Sequence, residues 1–205
     1  MTSEIPSSVT ILAAAIGAGV ALLGHGLSFG RDWFSQRLKD GQQRTFVALR
    51  IAAELDYFAI NCALAASDHG EPQMEQHGQE EYRSRYKTPT FTLDYSAYDW
   101  RLLPKDLLMR VLEMPHLTKQ AHANLDGVSE FLAHPPYYEE FFQTRSLNFG
   151  RLGLRALQIA KDLRHRVGAV PDMPSLDPES DYDVHAELNW AVKKALEAKP
   201  ADLGL

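Results

Sequence analysis

From Val9 to Phe29 the chain runs 21 residues without a charged side chain, between Glu4 and Arg31. Wound as a helix at about 1.5 Å per residue, such a stretch is about 30 Å long, the thickness of a bilayer's hydrocarbon core. A helix packed inside a 205-residue protein has little reason to stay apolar on every face for that distance. A cleaved secretory signal competes for the same residues, but it needs a basic start. Residues 1–8 hold one acid and no Lys or Arg. The stretch therefore predicts a transmembrane helix over 9–30 behind a short outer tail, 1–8.

Charge sets the expected orientation. Arg31, Arg37, Lys39, Arg44 and Arg50 all follow the stretch. The positive-inside rule then leaves the N-terminus outside and the rest cytoplasmic, at a bacterial plasma membrane. Phe29, Trp33 and Phe34 fall where interfacial aromatics anchor a span. Ala13, Gly17 and Ala21 repeat every four residues, and Gly26 and Gly30 form a GxxxG pair. Small residues at that spacing let two helices approach, so they are candidates for membrane-helix association. His25 is the one ionisable residue in the span, close enough to its end to be tolerated. The expected partners are the lipid bilayer, a second copy of the chain and a protein not identified by the sequence.

The remainder carries ordinary signals. A formal charge of −6, from 21 basic and 27 acidic residues, argues against nucleic acid as a partner. The single cysteine, Cys62, allows no internal disulfide and no cysteine pair for zinc. Residues 31–170 read as a helical bundle. Val47, Ile51, Leu55, Phe58 and Cys62 form an apolar stripe at helical period, which makes Cys62 a core residue. Residues 67–90 are polar and read as a long loop or a short helix at 78–86. His69 and His77 lie there among Glu71, Glu75, Glu80 and Glu81, at spacings that match no established metal site.

Thr88 to Leu93 alternates, predicting an extended strip across the bundle. Ser96 and Asp99 have capping-box spacing ahead of Trp100. Pro104 predicts a helix over 105–114, and Pro115 the start of another to Leu132. Tyr137 to Phe142 mixes aromatics and acids, as a docking strip or as a helix start that buries its rings. The clearest helix spans 144–168, with Leu152, Ala156, Ile159, Leu163 and Val167 on one face. Arg151, Arg155, Lys161, Arg164 and Arg166 decorate the rest, solvating the helix or binding anions. Gly168 and Pro171 stop it. Residues 171–205 read as a linker and a last helix, capped from Ser180 to Asp183 and docked by Leu188 and Trp190.

Two segments carry a resemblance. Trp100-Arg-Leu-Leu103 is followed by Val111-Leu-Glu-Met-Pro115. Leu152-Gly-Leu-Arg-Ala156 is followed by Ala160, Leu163-Arg164 and Val167-Gly168. With the apolar N-terminal stretch, the chain resembles uncharacterised bacterial single-pass membrane proteins with a cytoplasmic helical domain. The resemblance spans most of the chain and implies no catalytic residue.

No phosphate-binding GxxxxGK[ST], no nucleophile elbow GxSxG and no HExxH occurs. The sequence thus predicts an all-α protein, one N-terminal transmembrane helix followed by a multi-helix cytoplasmic bundle of five or six helices. No catalytic, cofactor or metal set stands out. The expected role is a membrane-anchored interaction or scaffold protein able to self-associate. The alternatives are a membrane-active effector in stress or phage defence, and a membrane-associated enzyme without a recognisable motif.

Overall fold

The computed structural model describes residues 39–74, 80–173 and 183–198. The chain divides into two compact units, Met1–Arg44 and Thr45–Leu205. Of the first, the described residues 39–44 are helical and exposed.

Helix α1 covers 39–66. The predicted stripe is its inner face: Val47, Ile51, Leu55, Phe58 and Cys62 are all buried. Ala48, Ala52, Ala59, Ala63 and Ala66 flank the stripe and are buried too. Their small side chains let neighbouring elements approach closely.

Helix α2, Lys105–Phe131, is a single helix with Pro115 inside it. The expected break at Pro115 does not occur. Proline removes one backbone bond and crowds the carbonyl four residues back, at a cost of about 3 kcal/mol. Against this, Leu107, Val111, Met114, Thr118, Ala121 and Leu125 continue one buried face through the proline. Stopping the helix there would take half of that face out of register with the core. The Thr118 hydroxyl donates back to the Met114 carbonyl at 2.9 Å.

Helix α3, Glu139–Arg166, packs against α2 and α4. It starts before the expected 144, with Glu139 and Glu140 in its first turn, where the helix dipole favours acids. Phe149, Leu152, Ala156, Ile159 and Leu163 are buried. Helix α4, Val184–Glu197, is capped by Asp183, which accepts from the His185 N–H at 2.8 Å. Its buried face is Val184, Leu188, Ala191 and Ala195. That face seats on two glycines of α3. A Cβ on Gly150 would lie 2.6 Å from Val192, and one on Gly153 2.8 Å from both Leu188 methyls. Leu188 docks as expected, whereas Trp190 is 49% exposed.

Between α1 and α2 the chain is not simply loop. Two antiparallel strands pair there, β1 Glu71–Met74 and β2 Glu80–Arg83, with Pro72 opposite Tyr82. The strip after them forms no strand, but it alternates buried and exposed residues as predicted, with Phe91 and Leu93 inward. Phe91 lies against Phe58 of α1, ring centroids 5.1 Å apart, and His122 Nε2 of α2 donates to the Pro89 carbonyl at 2.9 Å. Asp99 caps a single 3-10 turn, Trp100–Leu102, while the Ser96 hydroxyl turns back to Asp94 at 2.6 Å.

The expected fold class needs correction. Among the described residues no helix is long and apolar enough to cross a membrane. Each described helix buries one face and carries charged residues on the other, as a bundle requires and a bilayer forbids. The mostly helical unit also carries the β-hairpin. The segment 9–30 lies outside the described residues, and with it Ala13, Gly17, Ala21, His25, Gly26, Phe29 and Gly30. So do Trp33 and Phe34.

Candidate functional site

The site is built where α1 ends. Asp68 follows the last turn, and its carboxylate meets three donors. Oδ1 accepts from the Gly70 N–H at 3.0 Å, and Oδ2 from the Tyr86 N–H at 3.1 Å. Arg145 of α3 adds Nη1 to Oδ2 at 2.6 Å, and its Nη2 donates to the Tyr86 carbonyl at 2.5 Å. One ion pair therefore holds both ends of the segment that contains the hairpin, and fastens them to α3.

Arg145 is 0% exposed and Asp68 6%. Burial opposes the charge on Asp68, but Arg145 and the two N–H groups outweigh it, and its pKa is lowered. Gly70 sits at φ +82, a left-handed backbone that a side chain resists. A Cβ there would also meet the Phe142 ring at 2.5 Å.

The hairpin docks on the turn between α2 and α3. The Tyr82 N–H donates to the Pro136 carbonyl at 2.9 Å, and the Tyr82 and Tyr137 rings lie 5.4 Å apart. The Tyr138 hydroxyl donates to Glu81. Tyr138 itself takes φ +51 as it turns the chain into α3.

Hairpin, turn, α3 and α4 line an open-sided cavity of about 340 Å³. Its walls include Tyr82, Tyr137 and Phe142, with His69, Lys194 and Glu139 as charged or titratable groups. Two other polar residues at the cavity serve the scaffold. The Ser146 hydroxyl donates to the Ala66 carbonyl, and Gln143 Nε2 donates to the Ala195 carbonyl at 2.8 Å. His69 and Lys194 form a pair at 3.2 Å. The ammonium can only donate, so His69 Nε2 is the acceptor and the ring is neutral when the bond is made. Burial, then the Lys194 charge, lowers the His69 pKa, which agrees with a neutral ring. Lys194 also lies 4.7 Å from the Trp190 ring centroid.

Several sequence expectations land elsewhere. Of the loose His and Glu group, His77 and Glu75 lie outside the described residues. His69 faces Lys194, and Glu71 pairs with Arg85. Among the described residues no cluster of three or more His, Cys, Asp or Glu side chains could hold a metal ion. Three of the five basic residues expected to decorate α3 are engaged: Arg164 with Asp56, Arg155 with Glu113, and Lys161 with Asp172 at 3.5 Å. The Tyr137–Phe142 strip is the helix start foreseen for it. Phe142 is buried, Glu139 and Glu140 open the helix, and Tyr137 stays 56% exposed at the cavity. Cys62 is fully buried, and burial pushes its thiol pKa up, as an unreactive core residue requires.

The Ser146 hydroxyl is committed to a backbone carbonyl, and His69 is hydrogen-bonded to an ammonium rather than to a nucleophile. No protein-family model, no curated protein and no solved structure matches the chain.

Proposed function

We propose that this chain is a helical interaction module whose binding site is the cavity between the hairpin, α3 and α4. The observation that carries the reading is the join between that cavity and a buried ion pair. Asp68 and Arg145 hold the cavity's hairpin wall to the core. Burying two charges is costly, and a long hairpin could simply lie in solvent without them. A wall fixed in this way is preorganised, which is what a binding site needs and a connection does not. The cavity's size is at the lower end of the range for ligand pockets, about 300–1,000 Å³, so one side chain or one small molecule fills it.

The test is a fragment screen by ligand-observed NMR on the full chain, beside Ala198→Phe. Ala198 lines the cavity and is exposed, so a larger side chain there fills the space without entering the core. The reading expects aromatic fragments to bind and the variant to lose them with its thermal midpoint unchanged. Fragments that bind both proteins equally would place the binding surface elsewhere.

A further inference from the structure

We propose that the cavity receives an aromatic carboxylate, its ring held among Tyr82, Tyr137 and Phe142 and its carboxylate on Lys194. This deepens the reading of the cavity as a binding site and rests on it.

The ring specificity comes from the walls. Aromatic pairs settle at centroid separations of about 4.5–7 Å in tilted or offset arrangements. Tyr82 and Tyr137 already stand 5.4 Å apart at 57°. Phe142 is fixed by burial and by the Gly70 backbone pressed against its ring. These three rings come from β2, from the turn before α3 and from α3 itself, so a ligand ring meets them from several sides.

The charge specificity comes from Lys194. Among the described residues it meets no carboxylate at ion-pair distance. Its neighbours are a neutral imidazole and the face of Trp190, and neither cancels its charge. Lys194 is exposed, so solvent screens its pull on an anion, and the aromatic wall beside it supplies the rest of the affinity. His69 stands beside it. If the ammonium swings to an incoming carboxylate, the imidazole is free to become a second partner. Glu139 also lines the cavity, held in the first turn of α3. A second negative charge on the ligand would be repelled there, which favours a monoanion over a phosphate. The volume limits the occupant to one ring and a short acidic arm.

A free acid and the carboxyl-terminal aromatic residue of a partner chain share this chemistry. The experiment is calorimetric titration of the full-length protein at neutral pH with four probes: phenylacetate, phenylacetamide, phenethylamine and N-acetylglycylphenylalanine. One of the two carboxylates should bind about tenfold more tightly than the amide, as one charged hydrogen bond allows. Lys194→Met should cost that carboxylate about tenfold in affinity and leave the amide nearly unchanged. The unchanged amide separates a lost charge from a lost fold. Tighter binding of phenylacetate points to a free acid, and tighter binding of the dipeptide to a chain end; both support the proposal. Amide or amine binding at least as tightly as acid overturns it, as does Lys194→Met without effect. If such neutral or cationic binding disappears in Ala198→Phe, the carboxylate is wrong and the cavity reading stands. If none of the four binds, the carboxylate proposal fails and the fragment screen decides the cavity alone.

Discussion

Helix α3 carries two buried Asp–Arg pairs, and they are not alike. Near its start Arg145 meets Asp68; near its end Arg164 meets Asp56 of α1. All four residues are at most 7% exposed. Yet the carboxylates shift in opposite directions. Burial raises the Asp56 pKa, and Arg164, its partner through both terminal guanidinium nitrogens, only partly offsets that. Asp68 faces burial too, but Gly70 and Tyr86 add two backbone N–H donors to the guanidinium, and its pKa falls. The lesson is that an ion pair's setting, more than its residues, decides whether the charge is welcome. The Asp56 pair joins two helices that already share an apolar core. The Asp68 pair organises a segment with little core of its own, since β1 is exposed along its length.

Asp68→Asn is the substitution expected to break this contrast most strongly. It leaves Arg145 buried without a counter-charge and places an amide where donors converge. The expected loss is about 3–5 kcal/mol in urea unfolding. Asp56→Asn should cost less, about 3 kcal/mol: it too leaves a buried guanidinium, Arg164, without its counter-charge, but the fold already disfavours the Asp56 charge. Equal losses would make the two pairs equivalent.

Acid titration sharpens the same point. Asp68 has a folded pKa below its ordinary 3.8. Its stabilisation is therefore complete above that value and is lost as pH falls through the folded one. Asp56 has a folded pKa above 3.8, so its contribution is complete below that value and is lost as pH rises through the folded one. Stability measured from about pH 5 to about pH 2 should fall less steeply in Asp68→Asn than in the parent, and more steeply in Asp56→Asn.

Gly70→Ala comes next in size. The left-handed backbone costs a side chain about 1–2 kcal/mol. The new Cβ must also move Phe142, so the thermal midpoint should drop and aromatic fragments should bind more weakly. The smallest effect belongs to Lys194→Met. That side chain is exposed and, among the described residues, makes no ion pair, so unfolding free energy should stay within about 0.5 kcal/mol of the parent. A larger loss would move Lys194 from the site to the scaffold.

What the sequence revealed follows the range of its signals. The α1 stripe and the core face of α3 were legible because helical period repeats within a few residues. The last helix was legible too, but its cap is Asp183, the far end of the capping box read from Ser180. Pro115 misled because local preference there opposes a tertiary face that runs on both sides of it. The hairpin was missed because Glu71–Met74 shows no alternation of burial, and its polar strands are held by their ends. Asp68 and Arg145 are 77 positions apart, and His69 and Lys194 are 125 apart. No spacing rule connects such residues, and each reads alone as an ordinary surface charge. Close helix approach through small residues was sought at Ala13 to Gly30. Among the described residues it operates at Gly150 and Gly153, which read only as positions within a clear helix.

The most direct test of the account is amide hydrogen exchange in the parent, Asp68→Asn and Asp56→Asn, under conditions where all three keep their helical signal. Asp68→Asn should speed exchange at Gly70, Tyr82 and Tyr86 and leave the middle of α1 and α3 protected. Asp56→Asn should leave those three amides as slow as in the parent. If Gly70, Tyr82 and Tyr86 exchange alike in the two variants, the Asp68–Arg145 pair does not hold the cavity wall, and the preorganised site falls with it.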